Sequence, residues 1–131
     1  MDGDVVQVRL EADILIARQT GKALAGQLGF SDSDAVLIAT AISEIARNML
    51  EYARGGMMGF KVLRAPRSGL EIRAEDQGPG IKDLELAMRD GYSTGGGLGL
   101  GLPGAKRLMD EFQIESRPGA GTTVVMRKWV P

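Results

Sequence analysis

The chain has 131 residues, 44% hydrophobic and 25% charged, with 16 basic and 17 acidic side chains for a net charge of −1. That is one globular domain, read as spanning residues 1–131, with no general attraction to nucleic acid or an anionic membrane. Histidine and cysteine are both absent, which excludes Ser-His-Asp and Cys-His machinery, Cys/His zinc sites, disulfides and the His-Arg-Asp loop of an ordinary protein kinase.

The N-terminal residues MDGDVVQVRL are acidic and hold no continuous apolar run of signal-peptide length, so no signal peptide is expected. No segment approaches the roughly 18 apolar residues of a membrane span, and a cytoplasmic location is expected. Residues 4–10 alternate apolar and polar and predict a strand. Residues 12–28 predict a helix with Ile14, Leu15, Ala17, Ala23, Leu24 and Leu28 on its apolar stripe and Gly29 as its stop. Ser31 to Asp34 is an N-cap cluster that opens a long helix to about Ala53. Strands follow over 57–64 and 70–75, joined by the turn 65–69, then a glycine-rich loop over 76–80 and a short helix over 82–90. Pro103 to Phe112 predicts another helix, with Ala105, Leu108, Met109 and Phe112 at helical spacing. A closing hairpin spans 112–116 and 122–130. This order predicts an α+β fold: a two-layer α/β sandwich with helices on one face of a mixed, mostly antiparallel sheet.

Seven of the nineteen glycines fall within residues 91–104, GYSTGGGLGLGLPG. So local an excess calls for backbone that turns sharply or approaches a ligand closely, and the segment reads as a mobile lid ending at a helix N-terminus. Residues 99–104 match the dinucleotide pattern G-x-G-x-x-G, but no apolar strand precedes them, so that assignment fails. The underlying physics survives: amide groups at a glycine-rich helix start bind phosphate.

Within the long helix, Ile38, Ile42, Ile45, Met49 and Tyr52 supply a core face. Glu44 and Asn48 are one turn apart on another. Two readings stand. Either the pair is a solvated face with a Glu–Asn hydrogen bond, or both side chains face a cleft, where the Asn oxygen suits magnesium beside phosphate and the carboxylate suits proton acceptance. Asp76, with Gly78 and Gly80 after it, is either a tight turn that satisfies its own backbone or an acceptor for an exocyclic amine beside a flat ring. Met57 and Met58, with Tyr52, belong either to the core or to a partner surface.

Glu44-x-x-x-Asn48, then DQGPGI (76–81), GGGLGLGL (95–102) and GTT (121–123) together resemble the GHKL superfamily and its Bergerat ATP-binding fold. AISEIARNMLEYA (41–53), AEDQGPGI (74–81) and DGYSTGGGLGLGLPGAKRLMDEF (90–112) are most similar to the small serine/threonine switch kinases of bacterial stress-response modules, the RsbT type. The resemblance implies a Mg-ATP-dependent protein kinase. Asn48 would ligate Mg²⁺, and Glu44 would be the catalytic base. Asp76 would accept the adenine amino group, with Gly78, Gly80 and Ile81 shaping the pocket wall and Thr122 reaching the adenine side. Gly97, Leu98, Gly99, Leu100, Gly101 and Leu102 would close over the phosphates. The implied substrates are STAS-domain antagonist proteins of a large stress-sensing complex, and release would free the chain to activate a PP2C-type phosphatase. Three other readings are an anti-sigma kinase that binds a sigma factor, an ATP-binding module that acts mainly by contact, and a detached histidine-kinase catalytic domain.

Overall fold

The computed structural model describes residues 3–81, 88 and 101–131. The short helix expected over 82–90 and the lid segment over 91–100 lie outside the described residues, except for Met88. In chain order the elements are β1 (Gly3–Val8), α1 (Glu11–Leu28), α2 (Asp32–Ala53), β2 (Gly56–Leu63), β3 (Gly69–Asp76), α3 (Gly101–Leu108), β4 (Glu111–Ser116) and β5 (Thr122–Trp129). The strands form one sheet in the order β1-β2-β3-β5-β4, and every described pairing is antiparallel. The helices pack on one face, which gives the expected two-layer sandwich on a mostly antiparallel sheet, antiparallel at every pairing among the described residues.

Alternation along the strands separates the two faces. Val6, Val8, Met58, Phe60, Leu70, Ile72, Ala74, Val124 and Met126 point to the helices and are buried. Burial contributes about 1.5–3 kcal/mol for each large apolar side chain. On the other face a charged row crosses the sheet where Glu71, Arg127 and Glu111 stand in register. Arg127 donates from Nε to Glu71 at 2.8 Å and from Nη1 to Glu111 at 3.0 Å. The Trp129 indole N–H donates to Glu111 at 2.7 Å, and the Arg67 guanidinium lies 5.4 Å from the Trp129 ring centroid. The row keeps this face solvated, so no second helical layer is needed.

Helix α1 starts on half a capping box. The Asp13 carboxylate accepts from the Arg9 and Leu10 amides at 2.9 Å each, but Leu10 at the N-cap has no side-chain acceptor to complete the exchange. The buried stripe of α1 is Ile14, Ala17, Gly21 and Ala25, rotated from the expected one, and Leu15 is exposed. Gly21 explains the rotation: a Cβ there would stand 2.1 Å from Ile42 Cδ1, so its lack of a side chain lets α1 lie close on α2.

Helix α2 is the spine of the domain. Ser31 caps it as expected, its Oγ accepting from the Asp34 amide at 3.1 Å. Ile38, Ile42, Ile45 and Met49 are buried, and so are Ala35, Ala39, Ala41 and Ala46. The helix is therefore enclosed around much of its circumference, by α1, the sheet and α3. Tyr52, assigned to the core face, is exposed near the C-terminal end, where Met58 is buried and Met57 is exposed.

Helix α3 begins two residues before Pro103 and ends at Leu108, short of the expected Phe112. Proline is tolerated in its first turn, where an amide has no intrahelical partner. The early end comes from the sheet. The Asp110 amide donates to the Arg127 carbonyl at 2.9 Å, and Phe112 pairs with Met126 inside β4.

Candidate functional site

Four chain segments meet around the C-terminal half of α2. The burial of that helix places Glu44 on its inner side, only 6% exposed. A buried carboxylate needs a hydrogen-bond partner. Glu44 finds one 57 residues away: Oε2 accepts from the Gly101 amide at 3.2 Å. Gly101 is the first residue of α3, so the carboxylate satisfies one of the helix's orphan donors at the positive end of its dipole. The Glu44–Asn48 bond of a solvated pair is not formed. Asn48 lies one turn further along and is half-buried.

Asp76 ends β3. Its Oδ1 accepts from the Gly78 amide at 3.0 Å and from the Thr122 amide at 3.2 Å. The first bond is the local turn, and the second ties the loop to the start of β5. Oδ2 accepts no hydrogen bond among the described residues. Backbone packing around this carboxylate leaves no room for side chains. A Cβ on Gly78 would stand 2.5 Å from the Ala53 Cβ of α2. Gly80 (φ +77) and Gly121 (φ +80) hold left-handed backbone, and a Cβ on either would come within 2.0 Å or 2.2 Å of a carbonyl oxygen of Arg117 or Asp76, respectively.

Thr122 and Ile81 are joined through a residue that the sequence did not single out. Ser116 Oγ accepts from the Ile81 amide at 2.7 Å and lies 2.7 Å from Thr122 Oγ1 and 3.2 Å from the Gly121 carbonyl oxygen. The Gly119 amide also donates to the Pro79 carbonyl at 2.7 Å. In the sequence Ser116 is one hydroxyl at the end of an ordinary strand, and only the pairing of β4 with β5 reveals its partners.

The structure thus brings Asp76, Gly78, Gly80, Ile81 and Thr122 into one hydrogen-bonded and packed cluster, and Glu44 and Gly101 into a second contact between α2 and α3, with Leu102 buried in the core. Gly97, Leu98, Gly99 and Leu100 lie outside the described residues. A cavity of about 560 Å³ is lined by Tyr52, Ala53 and Arg54 at the end of α2, Gln77, Gly78 and Pro79 of the loop, and Gly119. Among the described candidate residues, it touches Gly78.

Chemically, the cluster suits a purine nucleotide. It offers a carboxylate oxygen with spare acceptor capacity beside backbone surfaces bare of side chains, and a glycine-opened helix start suits phosphate. Among the described residues no group of three or more Asp or Glu side chains could cage a metal. A divalent cation here would take most of its ligands from phosphate and water, which is the habit of magnesium, and the amide oxygen of Asn48 is a suitable hard ligand.

Residues 33–131 match the family model described as histidine kinase-, DNA gyrase B- and HSP90-like ATPase. The chain is 51% identical over 98% of both sequences to the serine/threonine-protein kinase RsbT of Bacillus subtilis (strain 168). The chain belongs to this ATPase family and is an RsbT-type serine/threonine kinase. ATP binding comes with the family. The chain is also 34% identical to the anti-sigma F factor of Thermoanaerobacter sp. (strain X514), over 87% of this chain and 83% of that one. Among solved structures, the RsbU and RsbW domains of a Mycobacterium tuberculosis protein superpose on all of this chain with a TM-score of 0.67 at 18% identity. That match spans 34% of the mycobacterial chain. The mycobacterial sensor histidine kinase MprB superposes with a TM-score of 0.57 at 15% identity over 98% of each chain. At these identities the superpositions speak for the fold. Among the described residues no helix is long and apolar enough to cross a membrane.

Proposed function

We propose that residues 1–131 form a single cytoplasmic kinase domain that transfers the γ-phosphoryl group of Mg-ATP to a serine or threonine of STAS-domain antagonist proteins in a bacterial stress-response partner-switching module. After release from that complex, the chain binds and activates a PP2C-type phosphatase. The observation that carries the reading is the Glu44–Gly101 hydrogen bond, which joins the candidate base to the end of the glycine-rich motif.

Each residue has one task in this reading. Asp76 Oδ2 accepts from the adenine amino group while Oδ1 stays pinned to backbone amides. Gly78, Gly80 and Ile81 shape the wall, and Thr122 completes the adenine side. Asn48 holds the metal ion, which when bound supplies positive charge against the phosphates. The amides of Gly97, Leu98, Gly99, Leu100 and Leu102 hold the phosphate oxygens in the transition state, while the Gly101 amide stays on Glu44. Glu44 takes the proton of the acceptor hydroxyl as that oxygen bonds to phosphorus and ADP leaves. One of its oxygens keeps Gly101 while the other is available for the proton.

Labelled ATP with a panel of STAS-domain proteins tests this reading: transfer to serine or threonine supports it, and no transfer to any member contradicts it. The likeness to an anti-sigma F factor favours a second reading, in which a sigma factor is the main partner. Pull-down with both partner classes separates the two. A third reading, activation of the phosphatase by contact alone, predicts that a chain unable to transfer phosphate still activates it.

A further inference from the structure

Ser116 holds three polar groups of the proposed nucleotide site with one hydroxyl: the Ile81 amide at 2.7 Å, Thr122 Oγ1 at 2.7 Å and the Gly121 carbonyl oxygen at 3.2 Å. A hydroxyl has one proton to give and two lone pairs to receive. The Ile81 amide can only donate, so it takes one lone pair. The Gly121 carbonyl can only accept, so it takes the proton. The remaining lone pair then faces Thr122, which must donate. In this arrangement all three contacts are hydrogen bonds. In the alternative, Ser116 donates to Thr122 and leaves the Gly121 carbonyl unserved by the hydroxyl beside it and its own second lone pair idle. Half-buried polar groups favour the arrangement with more bonds.

We infer that Ser116 is a positioning residue that sets Thr122 as a hydrogen-bond acceptor, so that the pocket selects a purine carrying an exocyclic amine over one carrying a carbonyl. Thr122 has spent its proton on Ser116 and keeps only acceptor capacity. Asp76 Oδ2 is an acceptor too. A ring with a carbonyl at the amine position meets lone pairs with lone pairs, and a site of matched polar groups rejects such an analogue strongly. The inference rests on the nucleotide site proposed above.

The test is equilibrium binding of ATP and of inosine triphosphate, which has a carbonyl where ATP has the amine. The probes are wild type, Ser116→Ala, Thr122→Val and the double variant, with folding checked by circular dichroism. Wild type is expected to prefer ATP, and Ser116→Ala to reduce that preference by about tenfold because Thr122 can then reorient its proton. If Ser116 acts through Thr122, the double variant matches Thr122→Val alone. A purely structural role for Ser116 would weaken both nucleotides equally, leave the ratio unmoved and overturn the inference, as would additive effects in the double variant. Should Ser116→Ala fail to fold, Thr122→Val carries the test by itself: a reduced preference supports the inference and an unchanged one overturns it. If wild type binds no ATP, the nucleotide site and this inference fall together. If it binds ATP and the ratio ignores Ser116, only this inference falls.

Discussion

Glu44 accepts a hydrogen bond from the amide of Gly101 at 3.2 Å, so the carboxylate proposed as the catalytic base also holds the first residue of α3. In that proposal one side chain serves a structural and a chemical role, and substitutions separate them. Glu44→Gln keeps an oxygen for the Gly101 amide but cannot take a proton. It is expected to melt close to wild type, to bind ATP, and to lose about 10²–10⁴-fold in transfer rate. Glu44→Ala removes both functions and leaves the half-buried Gly101 amide without its partner, at a cost of about 1 kcal/mol. Thermal melts and single-turnover transfer assays on both variants check this.

Asn48 is proposed as the metal ligand on the same helix. Asn48→Ala is expected to weaken binding of Mg-ATP more than binding of ATP in the presence of a chelator, with little change in melting temperature because the side chain is only half-buried. Titration of nucleotide with and without magnesium reads this difference. Equal weakening in both conditions would take Asn48 out of the metal site.

Gly121 sets the approach of β5 to Asp76. Alanine there would hold φ near +80 and place its Cβ 2.2 Å from the Asp76 carbonyl oxygen. The expected cost is about 1–3 kcal/mol from left-handed backbone alone, with a further loss of ATP affinity as the Thr122 amide moves off Asp76. Chemical denaturation and nucleotide titration measure the two effects separately. Gly119→Ala, whose Cβ would meet nothing within 4 Å, is the control for left-handed strain without collision.

Two carboxyl groups make stability depend on acid. The Arg9 amide first, and the Leu10 amide second, hold the Asp13 carboxyl below its usual range. The Trp129 indole N–H and then Arg127 do the same for Glu111. A pKa that is lower in the folded state contributes stability that is complete above the unfolded value, about 4, and is lost as pH falls through the folded value. The melting temperature should therefore fall below about pH 4. The fall should be shallower in the double variant Asp13→Asn, Glu111→Gln, measured by thermal melts from neutral to acid pH.

Much of the fold is legible in local chemistry. Ser31 announces the start of α2, and the turn residues 65–69 separate β2 from β3 as expected. The errors have physical causes. Leu15 is large and reads as part of the α1 stripe, yet it is exposed, and the contact with α2 is made at Gly21, whose value is the room it leaves. Phe112 extends the helical spacing of Ala105, Leu108 and Met109, but pairing with Met126 captures it in a strand, an override of local pattern by the sheet. At the proposed site, Glu44, Asn48, Asp76 and Thr122 stand out through the motifs that carry them. The bond from Glu44 to Gly101 and the hub at Ser116 depend on long-range approach, and no local spacing encodes them.

The central claim is that the Asp76 cluster receives the adenine of ATP, and calorimetry tests it most directly. Wild type should bind Mg-ATP at one site per chain. Asp76→Asn, folded and melting near wild type, should bind at least about tenfold more weakly, because an amide can present a donor where the adenine amine needs an acceptor. No heat from folded wild type, or an affinity unchanged in Asp76→Asn, would contradict the account.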